Sequence, residues 1–281
     1  MNNQKKIFDE LCISCSRSTT LKYSTSFSFG IKGLGSRFRN PVYSIYGFVR
    51  FADEIVDTFH DYNKGELLAR FRQDTVNAIH DRISLNPILN SFQKVYHEYN
   101  LDWSLVDQFL ISMEMDLEQK EYDRSRYENY VLGSAEVVGL MCLKVFTENL
   151  DSFYEELKPY AMRLGAAFQK INFLRDVKAD FEGLGRAYFP GLDFNKFTSE
   201  QKKLIEKEIA EDFEYAYQGI LKLPKDARYG VYMAYVYYLR LFKKIKALPH
   251  TRIMEERIRI PNQSKIALML RTYVQHNLNL L

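Results

Sequence analysis

The sequence predicts an all-α protein on three observations. Apolar residues recur at helical spacing along nearly the whole chain. No segment sustains the apolar–polar alternation of a strand, and only 13 Gly and 7 Pro punctuate 281 residues. With 46% hydrophobic residues the chain can bury a sizeable core, so disorder is not the expectation. No composition shift, internal repeat or low-complexity linker offers a place to cut it, and helices with one apolar face must pack on each other. Residues 1–281 therefore read as one all-helical domain.

The first stretch, "MNNQKKIFDELCISCSRS", has two lysines followed by acidic residues and no continuous apolar run, so it is not a secretory signal. Cys12 and Cys15 form a C-x-x-C, and Cys142 is the third cysteine of an odd, low count that suits a reducing cytoplasmic setting. Without a second pair or a strand beside them, they read as helix residues rather than a zinc or redox site. Turn signals fall at residues 30–41, 81–87, 98–102, 182–191, 223–226 and 260–263. Pro41 suits the first turn of a helix over "VYSIYGFVRFADEIVDTF", and Asp102 suits the N-cap of "WSLVDQFLISMEMDLEQK". The longest candidate for a membrane span, "GVYMAYVYYL", falls short of the ~20 apolar residues required. A net charge of +3, from 39 basic against 36 acidic residues, is too balanced to announce nucleic acid as a partner.

On a helix turning about 100° per residue, Tyr46, Arg50, Asp53 and Asp57 fall within a stripe roughly 60° wide. Taken alone, this is better explained as the solvated face of an amphipathic helix. A second stretch, "FQKINFLRDVKAD" (168–180), changes the balance. Gly165, Gln169, Asn172, Asp176 and Asp180 share a sector of roughly 80°, walled by Phe168 and Ala179 on one side and by Phe173 and Val177 on the other. A solvated face is wide and shaded by Lys and Glu, whereas this strip is narrow and built of short Asp and Asn, like a cavity lining. Carboxylates buried four residues apart need a positive partner. Oxygen donors without His or Cys favour Mg²⁺, with Mn²⁺ as the alternative, held by one or two carboxylates plus substrate phosphates. Two such helices face to face would clamp a diphosphate, and the metal ions with Arg50 and Arg175 would turn it into a leaving group. With apolar and aromatic walls below, the residues point to ionisation of a prenyl diphosphate inside a helical bundle.

These segments resemble the squalene/phytoene synthase family of head-to-head prenyl transferases. The first family motif is similar to "YSIYGFVRFADEIVD" and the second to "FQKINFLRDVKADFEGLGRAYFP". "YSTSFSFGIKGL" (23–34), "YENYVLGSAEVVGLM" (127–141), and "VYYLRLFKKI" with "ERIRIPNQSKIAL" near the end match further family segments in order. The resemblance implies a class I isoprenoid synthase helical bundle with a central active-site cavity. It implies that Asp53, Asp57, Asp176 and Asp180 are Mg²⁺ ligands or near-ligands, and that Arg50, Arg175, Asn172 and Gln169 belong to the diphosphate and metal shell. Tyr46, Tyr130, Tyr238, Arg257 and Lys265 match positions near the two diphosphates, and Ser24, Ser26 and Phe27 match a segment that closes over one substrate. Two departures stand out: Ala179 replaces an additional acid common in the second motif, and Glu136 stands where a small residue is usual.

The implied reaction joins two allylic diphosphates head to head through a cyclopropylcarbinyl diphosphate. The favoured reading is a phytoene synthase acting on geranylgeranyl diphosphate, for which NADPH is not expected. The runner-up is a C30 dehydrosqualene or squalene synthase acting on farnesyl diphosphate. A terpene cyclase, or an inactive helical scaffold protein, fits fewer of the matched segments and the retained aspartates less well. The expected setting is cytoplasmic, with transient peripheral membrane contact for release of a water-insoluble hydrocarbon.

Overall fold

The computed structural model describes residues 3–118, 122–184, 188–190 and 197–261, with side chains described throughout except at 179–184. Among the described residues there is no strand. Twelve α-helices follow one another in the described residues: α1 (Asn3–Tyr23), α2 (Thr25–Gly33), α3 (Ser36–Asp57), α4 (Lys64–Asp81), α5 (Pro87–Glu98), α6 (Trp103–Met115), α7 (Arg124–Val131), α8 (Val137–Thr147), α9 (Asp151–Leu184), α10 (Ser199–Lys222), α11 (Lys225–Lys246) and α12 (His250–Glu255). A π-helical turn, Leu132–Glu136, joins α7 to α8.

Local chemistry sets most of these boundaries. Asn63, Asn86, Asp102 and Asp123 each accept a hydrogen bond from a backbone N–H in the first turn of the helix that follows, and Pro87 stands at the start of α5, where its missing N–H costs nothing. Thr198 and Gln201 close a reciprocal capping box ahead of α10. Asp102 caps α6 as the sequence predicts, accepting from the Ser104 N–H at 2.8 Å. The helix ends at Met115 rather than running on to Lys120.

Pro41 departs from expectation. The chain turns at Leu34 and Gly35, so α3 begins at Ser36 and Pro41 sits inside the helix, where it forgoes the hydrogen bond to the Arg37 carbonyl. The predicted break over 30–41 therefore contracts to two residues. Cys12 and Cys15 both lie in α1 as free thiols.

Two apolar clusters form the core. One is centred on Phe48 of α3, fully buried, whose ring stacks on Phe92 at 4.0 Å and packs on Phe71 and Phe109. The other gathers α9, α10 and α11 around Ile171, Leu174, Phe213 and Leu241. Helix α8 packs against both α3 and α9 and so buttresses the two helices that carry the aspartate stripes. Arg124–Thr147, covering α7, the π turn and α8, is long and apolar enough by composition to cross a membrane, and it is a better candidate than "GVYMAYVYYL". However, 56% of its most apolar window is buried inside the protein, as expected of a core helix.

Candidate active site

Six helices surround a cavity of about 340 Å³: α2, α3, α8 with its π turn, α9, α10 and α11. On α9 the wall runs Leu157, Tyr160, Ala161, Leu164, Gly165, Phe168, Gln169 and Asn172, one continuous face at i, i+3, i+4 spacing. It is apolar up to Phe168 and polar beyond it. On α3 the wall runs Val42, Ile45, Tyr46, Val49 and Asp53, apolar first and acidic last. The central helix repeats the gradient from Ser134 to Phe146. The chamber therefore has one polar end and a long apolar body, and Leu157 to Asn172 spans about 22 Å along α9.

The π turn shapes the polar end. A Cβ on Gly165 would lie 2.7 Å from the Ala135 carbonyl oxygen, so glycine allows α9 to approach the turn closely. Ser134 and Ala135 face the cavity, and Ser134 Oγ accepts from Gln169 Nε2 at 3.1 Å. Glu136 lies outside the cavity wall and faces Arg163, Lys170 and Asp212. Burial, then the Asp212 charge, pushes its carboxyl up to about 7. The departure at Glu136 thus bears on the α9–α10 contact and not on the lining.

Around the polar end the predicted residues divide into groups. Tyr46, Asp53, Gln169, Asn172 and Phe27 line the cavity directly. Gln169 Oε1 accepts from Asn172 Nδ2 at 3.4 Å, and Tyr238 donates to Asn172 Oδ1 at 3.3 Å. The Tyr238 ring stacks on Phe168 at 4.0 Å and stands 6.0 Å from Phe27, which is in turn 5.9 Å from Tyr46. Burial raises the Tyr238 phenol and pushes that of Tyr46 to about 12, so both stay protonated as hydrogen-bond donors.

Ser24 caps α2, accepting from the Phe27 N–H at 3.1 Å, and so fixes Phe27 over the cavity. Ser26 is half-buried and lies off the lining. Ser24→Ala is expected to cost about 1 kcal/mol in urea unfolding, with a raised KM as α2 loosens.

Burial, then the neighbouring Asp57, pushes the Asp53 carboxyl up to about 7 against the pull of Arg50. Arg50 stands 3.9 Å from Asp53, but its Nε donates to Glu54 at 3.0 Å and its guanidinium lies 4.4 Å over the Tyr23 ring. Asp176, four residues beyond Asn172, takes two cations. Arg175 donates to it at 2.6–3.2 Å, and Arg257, brought in behind α12, reaches it at 2.8 Å. The family resemblance implies a place for Arg257 near a diphosphate, and the fold pairs it with Asp176 of the second aspartate stripe. The carboxylate of Asp180, the side chain of Ala179 and all of Lys265 lie outside the described residues.

Tyr130 is buried behind the wall rather than in it. Its hydroxyl donates to Asp116 at 2.6 Å, Tyr188 donates to the same carboxylate at 3.1 Å, and the two rings stack at 4.8 Å. Asp116 contributes to the rise of the Asp53 carboxyl, which couples this buried network to the cavity. Sequence reading missed Asp116, Tyr188, Ser134 and Glu54. Asp116 sits in "MEMDLEQ" with no patterned neighbour, and only the fold brings the two tyrosines to it.

The donors at the polar end are all oxygens or amides, which suits a hard divalent cation. Among the described residues no three acidic, His or Cys side chains converge closely enough to hold a metal ion alone. That arrangement fits Mg²⁺ bound by one or two carboxylates with phosphate oxygens completing its shell, and burial with the neighbouring Asp57 charge raises the Asp53 carboxyl beyond what Arg50 at 3.9 Å offsets.

The squalene/phytoene synthase family model matches residues 20–264, most of the chain and both aspartate helices. The chain belongs to the squalene/phytoene synthase family. Members of this family are prenyl transferases. The 4,4'-diapophytoene synthase of Staphylococcus haemolyticus is 27% identical over 68% of this chain and 66% of its own length. The phytoene synthase of Arthrospira platensis is 24% identical over 92% of this chain and 89% of its own. A crystal structure of a dehydrosqualene synthase with ligand superposes with a TM-score of 0.82 at 20% identity, covering 95% of this chain and 96% of that one. As a squalene/phytoene synthase family member, the chain carries the helical fold expected from its sequence.

Proposed function

We propose that this family member is a phytoene synthase, condensing two geranylgeranyl diphosphates head to head in the cavity. The observation that carries the reading is the gradient along single helices. On α9 an apolar face about three turns long, Leu157 to Phe168, ends in the amides Gln169 and Asn172, and on α3 one about two turns long, Val42 to Val49, ends in Asp53, a chamber shaped for an apolar tail with an anionic head. Bound Mg²⁺, held by Asp53, Asp57 and Asp176 with Asn172 and Gln169 nearby, would neutralise the diphosphate and make it a better leaving group.

The residues of this chain supply the remainder. Tyr46 and Tyr238, protonated, can donate to phosphate oxygens, and Arg50, Arg175 and Arg257 stand ready to exchange carboxylate partners for phosphate. The allylic C–O bond breaks and its electron pair leaves on diphosphate. The double bond of the second substrate attacks the resulting cation, and loss of a proton closes the cyclopropane ring. Ionisation of that intermediate, rearrangement and loss of a second proton give the hydrocarbon. Phe27, Tyr46 and Phe168 place aromatic rings at the cavity wall, where they can stabilise positive charge without reacting with it, and Tyr238 stacks behind Phe168. The apolar wall excludes the water that would quench it.

The match to a phytoene synthase over 92% of the chain supports the C20 substrate. The C30 reading, farnesyl diphosphate to dehydrosqualene, has support from the diapophytoene synthase relative and the dehydrosqualene synthase fold. Purified protein incubated with each diphosphate and Mg²⁺, with and without NADPH, separates the two. Phytoene from geranylgeranyl diphosphate, unaffected by NADPH, is the expected product, and hydrocarbon from farnesyl diphosphate alone would replace this reading with the C30 one. Because the product is water-insoluble, we further propose a transient membrane contact at release.

A further inference from the structure

We propose that Tyr160 gauges the length of prenyl tail the cavity accepts, by closing its far end with one aromatic ring. The proposal rests on the prenyl diphosphate reading and assigns its specificity. Tyr160 lies on the cavity face of α9, twelve residues and about 18 Å from Asn172 at the polar end. Leu34, Phe146, Leu157 and Leu223, which also line this end, are 2–7% exposed, so the core backs the wall behind them. Tyr160 is only half-buried.

On its outer side the Tyr160 ring stacks on Tyr215 at 4.7 Å and 24°, and Tyr215 is 40% exposed. The Lys222 ammonium lies 5.1 Å from the centre of the Tyr160 ring and pairs with the exposed Glu156 at 2.8 Å. Two stacked aromatic rings, Tyr160 on the inside and Tyr215 on the outside, therefore separate the apolar chamber from the surface between α9 and α10.

The backbone fixes that ring. Gly219 of α10 lines the cavity beside it, and a Cβ on Gly219 would lie 2.2 Å from Tyr160 Cβ and 2.6 Å from Cγ. With α10 packed this tightly against the base of the side chain, the ring stays between the chamber and Tyr215. Its size then decides where a tail must stop. Shortening the side chain opens a passage between α9 and α10 through which a longer tail can extend, and enlarging it raises the floor.

The test compares wild type, Tyr160→Ala and Tyr160→Trp, reading kcat/KM for geranylgeranyl against farnesyl diphosphate with Mg²⁺ present, and with the fold of each variant checked by circular dichroism. The ratio is expected to rise about tenfold or more in Tyr160→Ala and to fall by a similar factor in Tyr160→Trp, since whole isoprene units are gained or refused. Tyr160→Ala is also expected to accept the next longer homologue, geranylfarnesyl diphosphate. Ratios equal to wild type in either folded variant would overturn the proposal. A wild type that turns over neither diphosphate would instead overturn the functional reading, and the proposal with it. Because the two substitutions act in opposite directions, failure of one to fold leaves the other to decide.

Discussion

Asp53→Asn is expected to lower kcat for pyrophosphate release by about 10²–10³-fold while leaving the fold intact. Asp53 is the aspartate that lines the cavity, at the point where the apolar wall of α3 ends. Its Arg50 partner stands 3.9 Å away and is engaged by Glu54, so the carboxylate carries charge that a bound cation would answer. Asparagine keeps the size and one oxygen but loses that charge, which removes stabilisation needed as the diphosphate departs.

The same change has a signature without substrate. Because the folded carboxyl is pushed up from 3.8 to about 7, the folded protein holds a proton that the unfolded chain has released across that interval. Stability supplied by the protonated form is full below about pH 4 and is lost as pH rises through 7. In EDTA, wild type should therefore lose melting temperature over this window more steeply than Asp53→Asn. Mg²⁺ added together with inorganic pyrophosphate, which supplies the phosphate oxygens, should restore wild type more than the variant. An Asp53→Asn enzyme with wild-type kcat would remove Asp53 from the proposed machinery.

Asp212→Ala is expected to cost about 3 kcal/mol of stability, read from the shift of the urea midpoint at constant slope. Asp212 is 1% exposed and joins α10 to α9 through Lys170 at 2.8 Å and Arg163 at 2.8 Å. Removing it leaves Lys170, itself 7% exposed, with Glu208 at 3.4 Å as its ion-pair partner among the described residues. The loss falls on the helix that carries Gln169, Asn172 and Asp176, so KM should rise as well. Glu136 belongs to the same cluster, and its carboxyl at about 7 adds stability that disappears as pH rises from its ordinary 4.5 through 7. Glu136→Gln should flatten that part of the stability profile, and a profile identical to wild type would show that Glu136 does not titrate there.

How much of this was legible in the sequence depended on whether the signal was periodic. Helix caps such as Asp102 and the two acidic stripes were readable because a helix repeats its faces every few residues. The stripe at 168–180 could be recognised as a cavity lining because short polar residues were bracketed by Phe and Val, and Gln169 and Asn172 do line the chamber. The α3 helix start was misplaced because Pro41 is tolerated inside the second turn, and the break belongs to Leu34 and Gly35.

Asp116 and Tyr188 could not be found this way. Their pairing spans 72 residues and exists only once α6 and the segment after α9 are packed together. The π turn at Leu132–Glu136 was equally hidden, since one extra residue in a helical turn leaves the apolar pattern almost unchanged, yet it turns Ser134 toward Gln169 and Glu136 away. Tyr160, one of 20 tyrosines, became distinct only through its place at the end of the cavity and the glycine opposite.

On the proposed function, the polar end of the chamber ionises two prenyl diphosphates for each hydrocarbon formed. Pyrophosphate and extracted hydrocarbon should be quantified together from purified protein given geranylgeranyl diphosphate, with Mg²⁺ or with EDTA. Two pyrophosphates per linear C40 hydrocarbon are expected with Mg²⁺ and none with EDTA. One pyrophosphate per cyclic C20 product, or pyrophosphate release unaffected by EDTA, would contradict it.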